Sequence, residues 1–370
     1  MKILISGYNG FIGKHLLRSL KFHPSNFDIE YLSKNDFKSP ASLSNKISKN
    51  DIIFHFAGIN RDTSGEIVYK KNIEINNCMY SALENISFKG RLIFTSSTQE
   101  ELETFYGKAK KEARIKFEKQ SKVLGYNFYG IITPNLFGPF CKPNYNSFIA
   151  TFSDMILNKK LPKITYDKEV DLLYVSDFID SCVNLIEKNT DIKFHLKKSK
   201  RVKVSEILSL LINFNNLYIE KNQIPTISSY FELCLFNTFR SHINFKKHFP
   251  VKYQEHTDSR GSFVETARFF SEGQSSVSFT KKGGIRGNHL HTRKIERFSV
   301  IQGKASIKLR ETLSDIVHDF KLNGNKPSFI DIPIWYTHSI ENIGEEDLIT
   351  IFWINEHYDD DDSDTYLEKV

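Results

Sequence analysis

A short apolar strand, Lys2 to Ser6, runs into a turn with Gly7, Gly10 and Gly13, and then into the helical stretch Lys14 to Leu20. No other feature constrains the fold as tightly. Strand, glycine turn and helix in that order put helix N-terminal amides beside a strand end, so Gly7, Asn9, Gly10, Phe11, Ile12 and Gly13 read as a cradle for a pyrophosphate. Further buried strands are expected at Asp28–Leu32, Asp51–Phe56, Arg91–Thr95 and Phe128–Thr133, each separated from the next by helical sequence. Such alternation predicts a parallel, doubly wound α/β sheet.

The chain has 370 residues, too many for one typical core, which suggests two domains. Pro250 marks a linker, dividing the chain into residues 1–245 and 250–370. The N-terminal apolar run meets glycine after a few residues, so no signal peptide is expected, and no apolar stretch is long enough to span a bilayer. Four scattered cysteines, Cys78, Cys141, Cys182 and Cys234, form neither a knuckle nor a disulfide framework, pointing to a reducing cytoplasm. The net charge of +7 is spread along the chain. Only Lys197–Lys203 is densely basic, and it lacks interleaved aromatics, so nucleic acid is not an expected partner whereas a small anionic substrate is.

The Gly-x-x-Gly-x-x-Gly spacing resembles that of the extended short-chain dehydrogenase/reductases. The resemblance continues through His55-Phe56-Ala57-Gly58, Thr95-Ser96-Ser97, Tyr106-Gly107-Lys108-Ala109-Lys110 and Pro134-Asn135-Leu136-Phe137-Gly138-Pro139, covering residues 1 to about 240. It implies a Rossmann-type NAD(P) domain, with Ala57 and Gly58 also at the cofactor. Residues i and i+4 share a helix face, so the Lys110 ammonium is expected to lie near the Tyr106 phenol and lower its pKa for proton donation to a carbonyl oxygen. Ser97 would hold that oxygen; Ser96 is the alternative, and aligning the strand end with the family favours Ser97. The gap between Ser97 and Tyr106 is short for the family, so Thr98 to Phe105 must return the tyrosine helix directly over the strand end. After the second strand, Ser33 and Lys34 offer a hydroxyl and a cation to a 2′-phosphate, favouring NADPH, while Glu30 and Asp36 keep NADH open. Asn135 and Lys142 fall where the family recognises a sugar nucleotide. Asp177 is expected as a helix N-cap, and Ser205 as the start of another helix.

The C-terminal half carries His289 and His291 two residues apart, Glu296 five residues on, and His338 in a later segment. Alternation on a strand would put both histidines on one face, and three imidazoles with a carboxylate suit one divalent metal, zinc first, with iron, manganese or nickel as alternatives. The spacing Gly283, His289, His291, Glu296, Gly303 resembles the first motif of the cupins, small all-β barrels. Pro333, His338 and Asn342 match the second, except that Trp335 stands where the family has glycine.

Asp258 to Glu265 and Arg286-Gly287-Asn288-His289 resemble the cupin-type epimerases of deoxyhexulose nucleotides, which implies substrate contacts for Arg260 and Arg286. In that group the histidine of Arg-Gly-x-His abstracts a proton; here it is also His289 of the metal motif, so the epimerase base stays open. With Ala57 to Arg61 and Lys142 to Ser147 added, the whole chain resembles the CapF/WbjC/FnlB-type bifunctional UDP-sugar reductase/epimerases. That resemblance implies C3 epimerisation and C4 reduction of a UDP-2-acetamido-2,6-dideoxy-4-hexulose, on the route to UDP-N-acetyl-L-fucosamine for surface polysaccharide, by a homodimer. Two other readings stay open: a non-catalytic sugar-nucleotide sensor or scaffold, and a reductase fused to an oxygen-using cupin.

Overall fold

The computed structural model describes residues 2–49, 51–145, 147–187, 199–253, 255–258, 261–264, 266 and 273–370. It forms two compact units, one of residues 1–151 and 164–204, the other of residues 152–163 and 205–370.

The first unit begins with β1 (Lys2–Ser6), α1 (Phe11–Lys21), β2 (Asp28–Leu32), α2 (Pro40–Ser44) and β3 (Ile52–His55). It continues with α3 (Gly65–Asn85), β4 (Arg91–Ser97), α4 (Phe105–Leu124) and β5 (Asn127–Thr133). The five strands pair in parallel in the order β2-β1-β3-β4-β5. Alternation along β1 supplies both sheet faces: Ile3 and Ile5 join one apolar cluster with Leu16, Phe54 and Phe178, while Leu4 joins the other with Ile53, Leu83 and Phe117. Because β2 and β3 flank β1 on opposite sides, strand order reverses there, and a crevice opens at the carboxyl ends of β1 and β3.

Next come β6 (Asn135–Phe137), α5 (Phe148–Leu157), β7 (Glu169–Tyr174), α6 (Val175–Glu187), β8 (Lys200–Lys203) and α7 (Val204–Phe214). The strands β6, β7 and β8 make a small mixed sheet. Asp177 is not a cap: β7 passes straight into α6 at the buried Val175, leaving Asp177 in the first helical turn, where a carboxylate still complements the helix dipole. Ser205 likewise lies one residue inside α7.

After α8 (Tyr230–Arg240) and α9 (Phe245–His248), the second unit is all strand. It comprises β9 (Val251–Lys252), β10 (Glu255–Asp258), β11 (Gly261–Val264), β12 (Gln274–Thr280), β13 (Ile285–Leu290) and β14 (Glu296–Gln302). These are followed by β15 (Lys304–Glu311), β16 (Val317–Asn323), β17 (Ser328–Ile332), β18 (Tyr336–Asn342), β19 (Leu348–Ile354) and β20 (Tyr366–Leu367). Two five-stranded antiparallel sheets result, β12-β19-β14-β17-β9 and β16-β15-β18-β13-β20. The α/β sheet followed by an all-β cupin-like domain is the fold class that the sequence predicts.

Residues 205–249 pack with these sheets, although the sequence reading groups most of them with the N-terminal half. Arg297 on β14 makes a two-pronged pair with Asp331 on β17, at 2.7 and 2.9 Å, and Tyr218 donates its hydroxyl to the same carboxylate at 2.5 Å. Arg240 donates to the Ile332 carbonyl at 2.9 Å. All four side chains are buried. Removing one partner of such a network would leave an uncompensated buried charge, at a cost of about 3–5 kcal/mol.

Candidate active site and metal cluster

Gly7 has φ +68°, and a β-carbon on it would lie 2.8 Å from the Ala57 amide nitrogen. One on Gly13 would lie 2.4 Å from the Gly7 carbonyl oxygen, so these glycines let turn, helix and β3 end close on each other. The Gly10 amide donates to the Gly7 carbonyl at 2.9 Å, and α1 starts at Phe11 without a side-chain cap. Phe11 and Ile12 pack their side chains against the sheet's apolar cluster, so their backbone amides are the groups suited to a phosphate. On the neighbouring strand end, Ser6 Oγ accepts from the Ala57 amide at 3.1 Å and lies 2.7 Å from His55 Nδ1.

Beyond β2, both the amide and the hydroxyl of Ser33 donate to Asp36 Oδ2 at 2.6 Å. Burial pushes the Asp36 carboxyl up, but the Ser33 bonds and Lys46 at 3.2 Å outweigh it and hold the pKa below the ordinary value. The Ser33 hydroxyl, expected to face a 2′-phosphate, is instead spent on this carboxylate, which leaves the exposed Lys34 as the group offered there.

Ser97 ends β4, and its Oγ accepts from the Gln99 amide at 3.2 Å, capping a short 3₁₀ turn at Thr98–Glu101. Ser96 differs: its hydroxyl donates to the buried Glu100, whose carboxylate is gripped by Arg114 through bonds of 2.8–3.1 Å. Ser96 is thus tied into an internal ion pair, whereas Ser97 is half-buried at the strand end. Thr104 caps α4 by accepting from the Gly107 amide at 3.0 Å. The buried Lys110 ammonium donates to the Thr95 carbonyl at 2.9 Å and sits 5.9 Å from the Tyr106 ring centre. A β-carbon on Gly58 would stand 3.6 Å from that ammonium, so the candidate cofactor loop and Lys110 adjoin.

The expected depression of the tyrosine pKa is not found. Burial, aided by Tyr145, pushes the Tyr106 phenol up to about 12, and burial brings Lys110 down to about 8. Desolvation dominates the Tyr106 phenol, and the Lys110 ammonium is directed to the Thr95 carbonyl.

Near this site Arg61 Nη1 donates to the Asn144 carbonyl at 2.7 Å, and Asn60 Nδ2 to the Tyr145 carbonyl at 3.2 Å. The turn carrying the exposed Lys142 is thereby fastened to the segment after Gly58. Asn135 is exposed, with one long bond of 3.4 Å to the Asp171 carbonyl.

In the second unit, one nitrogen or oxygen from each of His289, His291, Glu296 and His338 lies within 4.8 Å of the others. His289 on β13 pairs with His338 on β18 in one sheet, and Glu296 opens β14 in the other. His291 lies just beyond β13 rather than within it. A bulge at Gly287–His289, with positive φ at Gly287 and Asn288, shifts the β13 register beside the cluster. Glu296 Oε2 is 3.0 Å from His291 Nε2 and 3.3 Å from His338 Nε2, yet all three atoms are buried without a hydrogen bond. Meanwhile His291 Nδ1 is 2.6 Å from the Asp364 carbonyl and His338 Nδ1 is 3.4 Å from that of Tyr336. Both rings therefore keep Nε2 as the inward atom, so this donor set fits a divalent cation. Burial alone would raise the Glu296 carboxyl, but the neighbouring imidazoles hold it at about 2. Burial takes His338 down to about 3, which leaves its ring neutral and able to ligate.

Trp335 adopts φ +65°, a left-handed conformation that glycine enters without strain, with its amide donating to the His291 carbonyl at 2.8 Å and its carbonyl accepting from the Thr312 amide at 2.9 Å. The turn survives the substitution. Arg286, exposed on β13, donates to Thr280 Oγ1 at 3.0 Å and to the Phe279 carbonyl at 3.2 Å. Arg260 lies outside the described residues.

Three supporting residues escaped the sequence reading. Asn72 on α3 accepts from the Ile59 amide at 3.1 Å and donates to the Ile59 carbonyl at 2.7 Å, fixing the backbone after Gly58. Glu100 separates the two serines, and Asp364 supports His291. No local pattern marks any of them.

The NAD dependent epimerase/dehydratase family matches residues 3–195, and the polysaccharide biosynthesis C-terminal domain matches residues 256–366. The chain is 30% identical to a UDP-2-acetamido-2,6-beta-L-arabino-hexul-4-ose reductase of Pseudomonas aeruginosa, over 100% of this chain and 99% of the relative. Among solved structures it resembles the capsular polysaccharide assembling protein CapF of Staphylococcus aureus, with TM-score 0.62, 30% identity and full coverage of both chains. A UDP-N-acetylglucosamine 4-epimerase from Methanobrevibacter ruminantium, at 16% identity and TM-score 0.53, covers 65% of this chain and 97% of its own, a likeness of fold alone.

Proposed function

Because this chain belongs to the NAD dependent epimerase/dehydratase family, and within it to the CapF-type UDP-sugar reductase/epimerases, we propose that it epimerises C3 and reduces C4 of a UDP-2-acetamido-2,6-dideoxy-4-hexulose. The product is a UDP-N-acetyl-6-deoxy-L-talosamine-type sugar on the route to UDP-N-acetyl-L-fucosamine for surface polysaccharide. The observation that carries the reading is Lys110 standing against both the Tyr106 ring and the backbone at Gly58, with Ser97 at the end of β4. NADPH, favoured by the exposed Lys34, supplies the hydride when bound. Ser97 holds the C4 carbonyl oxygen, and Tyr106 donates its proton to that oxygen. A phenol near pKa 12 keeps its proton until the oxygen becomes strongly basic, and the Lys110 ammonium offsets the charge left behind. Asn135 and Lys142 recognise the sugar nucleotide.

Epimerisation belongs to the second unit, with Arg286 and Arg260 as substrate contacts. The C3 hydrogen is acidic only while C4 is a ketone, so epimerisation precedes reduction. His289, His291, Glu296 and His338 hold one divalent cation, zinc first, which supplies positive charge for enolate stabilisation or fixes the barrel. A cytoplasmic homodimer fits the family resemblance, and among the described residues no helix is long and apolar enough to cross a membrane. The test is Tyr106→Phe, which should abolish NADPH oxidation yet preserve deuterium uptake at C3 from heavy water. Loss of exchange in a folded variant would refute the division of labour.

A further inference from the structure

We propose that Asp364 is a positioning residue for the metal cluster, setting His291 and the turn that follows it; the inference rests on reading the His289, His291, Glu296 and His338 group as a cation site. His291 lies outside the strand ladder, at the start of the 291–295 turn that crosses from one sheet to the other. Ladder hydrogen bonds alone cannot fix its ring. The support comes from the chain more than seventy residues later.

The Asp364 carbonyl is 2.6 Å from His291 Nδ1, which fixes Nδ1 as the donor and leaves Nε2 as the ligating atom. Its carboxylate accepts from the Thr292 amide at 3.0 and 3.2 Å, the Thr292 hydroxyl at 2.7 Å, the Arg293 amide at 2.9 Å and the Lys294 amide at 3.1 Å. Three successive amides thus converge on one anionic group that is 5% exposed. Asp364 holds φ +44°, a conformation that costs a non-glycine residue energy and persists because the surroundings over-determine it. Next to it, β20 pairs with β13 at His289↔Leu367 and Leu290↔Tyr366, and the Glu368 amide donates to the Asn288 carbonyl at 2.9 Å. The same segment therefore braces the bulge before His289 as well as the turn after His291.

Mutating an outer-shell partner of a ligating imidazole typically costs about 10–100-fold in metal affinity; here the partner oxygen is a backbone carbonyl that Asp364→Ala keeps, and what is lost is the carboxylate that holds it in place, so that range is the ceiling. Asparagine is a poor substitute, because its Nδ2 would face amides that themselves donate. Asp364→Ala should accordingly raise the Zn²⁺ dissociation constant by as much as about 10–100-fold, measured by competition with a chromophoric chelator, and should alter the visible bands of Co²⁺ bound in place of Zn²⁺. Asp364→Asn should weaken Zn²⁺ in the same direction. Thr292→Val removes one of the five bonds with little change of shape, and should weaken Zn²⁺ by roughly threefold, the worth of one modest hydrogen bond. That variant keeps the test open if Asp364→Ala does not fold.

A purely structural Asp364 would lower the melting temperature of metal-free and Zn²⁺-loaded protein equally and leave affinity unchanged, which would overturn the proposal. So would unchanged Zn²⁺ affinity in Thr292→Val, Asp364→Asn and any folded Asp364→Ala. If the wild-type protein takes up no Zn²⁺ or Co²⁺, the cation-site reading falls and this inference with it; wild-type uptake matched by all the variants sinks the inference alone.

Discussion

Gly107→Ala tests whether the short path from Ser97 to Tyr106 sets the reductase geometry. A β-carbon at this position would lie 2.0 Å from the Gln99 carbonyl oxygen and 2.7 Å from its carbon, where real β-carbon contacts essentially never fall below 3.0 Å. About 1 Å of movement is therefore required. The Gln99 carbonyl cannot yield freely, because it accepts from the Leu102 amide at 2.9 Å, while the Gln99 amide donates to the capping Ser97 Oγ. Either the start of α4, carrying Tyr106, slides outward, or the Ser97 turn distorts. In both cases the candidate proton donor and the candidate carbonyl-binding hydroxyl separate. Misplacement by 1 Å costs on the order of 10²-fold in turnover, and overpacking costs about 1–3 kcal/mol of stability. NADPH oxidation with the 4-keto sugar should thus show kcat down by roughly two orders of magnitude, while deuterium uptake at C3 continues at the wild-type rate. A variant that loses stability but keeps full kcat would refute the argument, because the strain would then have been absorbed without moving either group.

Ser97→Ala should remove most hydride transfer with little loss of melting temperature. Ser96→Ala should do the reverse, leaving the buried Glu100 short of one donor at about 1–3 kcal/mol while kcat persists; equal kinetic effects at both positions would contradict the assignment. Burial lowers Lys110 from its ordinary 10.5 to about 8, so the ammonium is lost in the fold as pH rises through about 8. Reductase kcat should decline above that pH. The sign for stability is opposite, since keeping the buried ammonium charged costs most below about pH 8 and the cost is relieved toward 10.5. Lys110→Met should lower kcat throughout, leave the residual kcat without that alkaline decline and abolish the stability trend, as followed by kcat and melting across pH 7–10. Lys34→Asp should weaken NADPH more than NADH, because it removes a favourable charge and adds a repulsive one beside a 2′-phosphate. Equal changes in the two Michaelis constants would exclude that role.

The first unit was legible because its signals are local. Apolar β-branched runs fix the strands, and alternation assigns Ile3 and Ile5 to one face and Leu4 to the other without reference to anything distant. The glycines at 7 and 13 were readable for the same reason, since each is demanded by backbone approach in a single turn. The expected cap at Asp177 fails because the helix begins two residues earlier, at Val175, where β7 ends without a break, and no local signal in the sequence marks that early start. Burial, not the spacing to Lys110, sets the direction of the Tyr106 shift. Helical spacing correctly brought Lys110 to the tyrosine, but burial and the pull of the Thr95 carbonyl are tertiary facts.

The metal cluster separates these two kinds of information more sharply. Its donors were visible because few side chains can ligate a borderline cation, so two histidines, a glutamate and a third histidine at those spacings stand out from the rest of the chain. The support around them has no such restriction, because a ring nitrogen or a row of amides needs only an oxygen, and the chain offers many. Between Asp359 and Asp364 there are five aspartates, yet Asp364 alone is buried against the turn after His291. The selection is made by pairing: β20 sits on β13 with Leu367 opposite His289, and three residues back along the chain the backbone reaches His291 Nδ1. A shift of one residue in that register would present a serine or a threonine in place of the carboxylate. The support of His291 therefore depends partly on a strand pairing that composition and spacing do not encode.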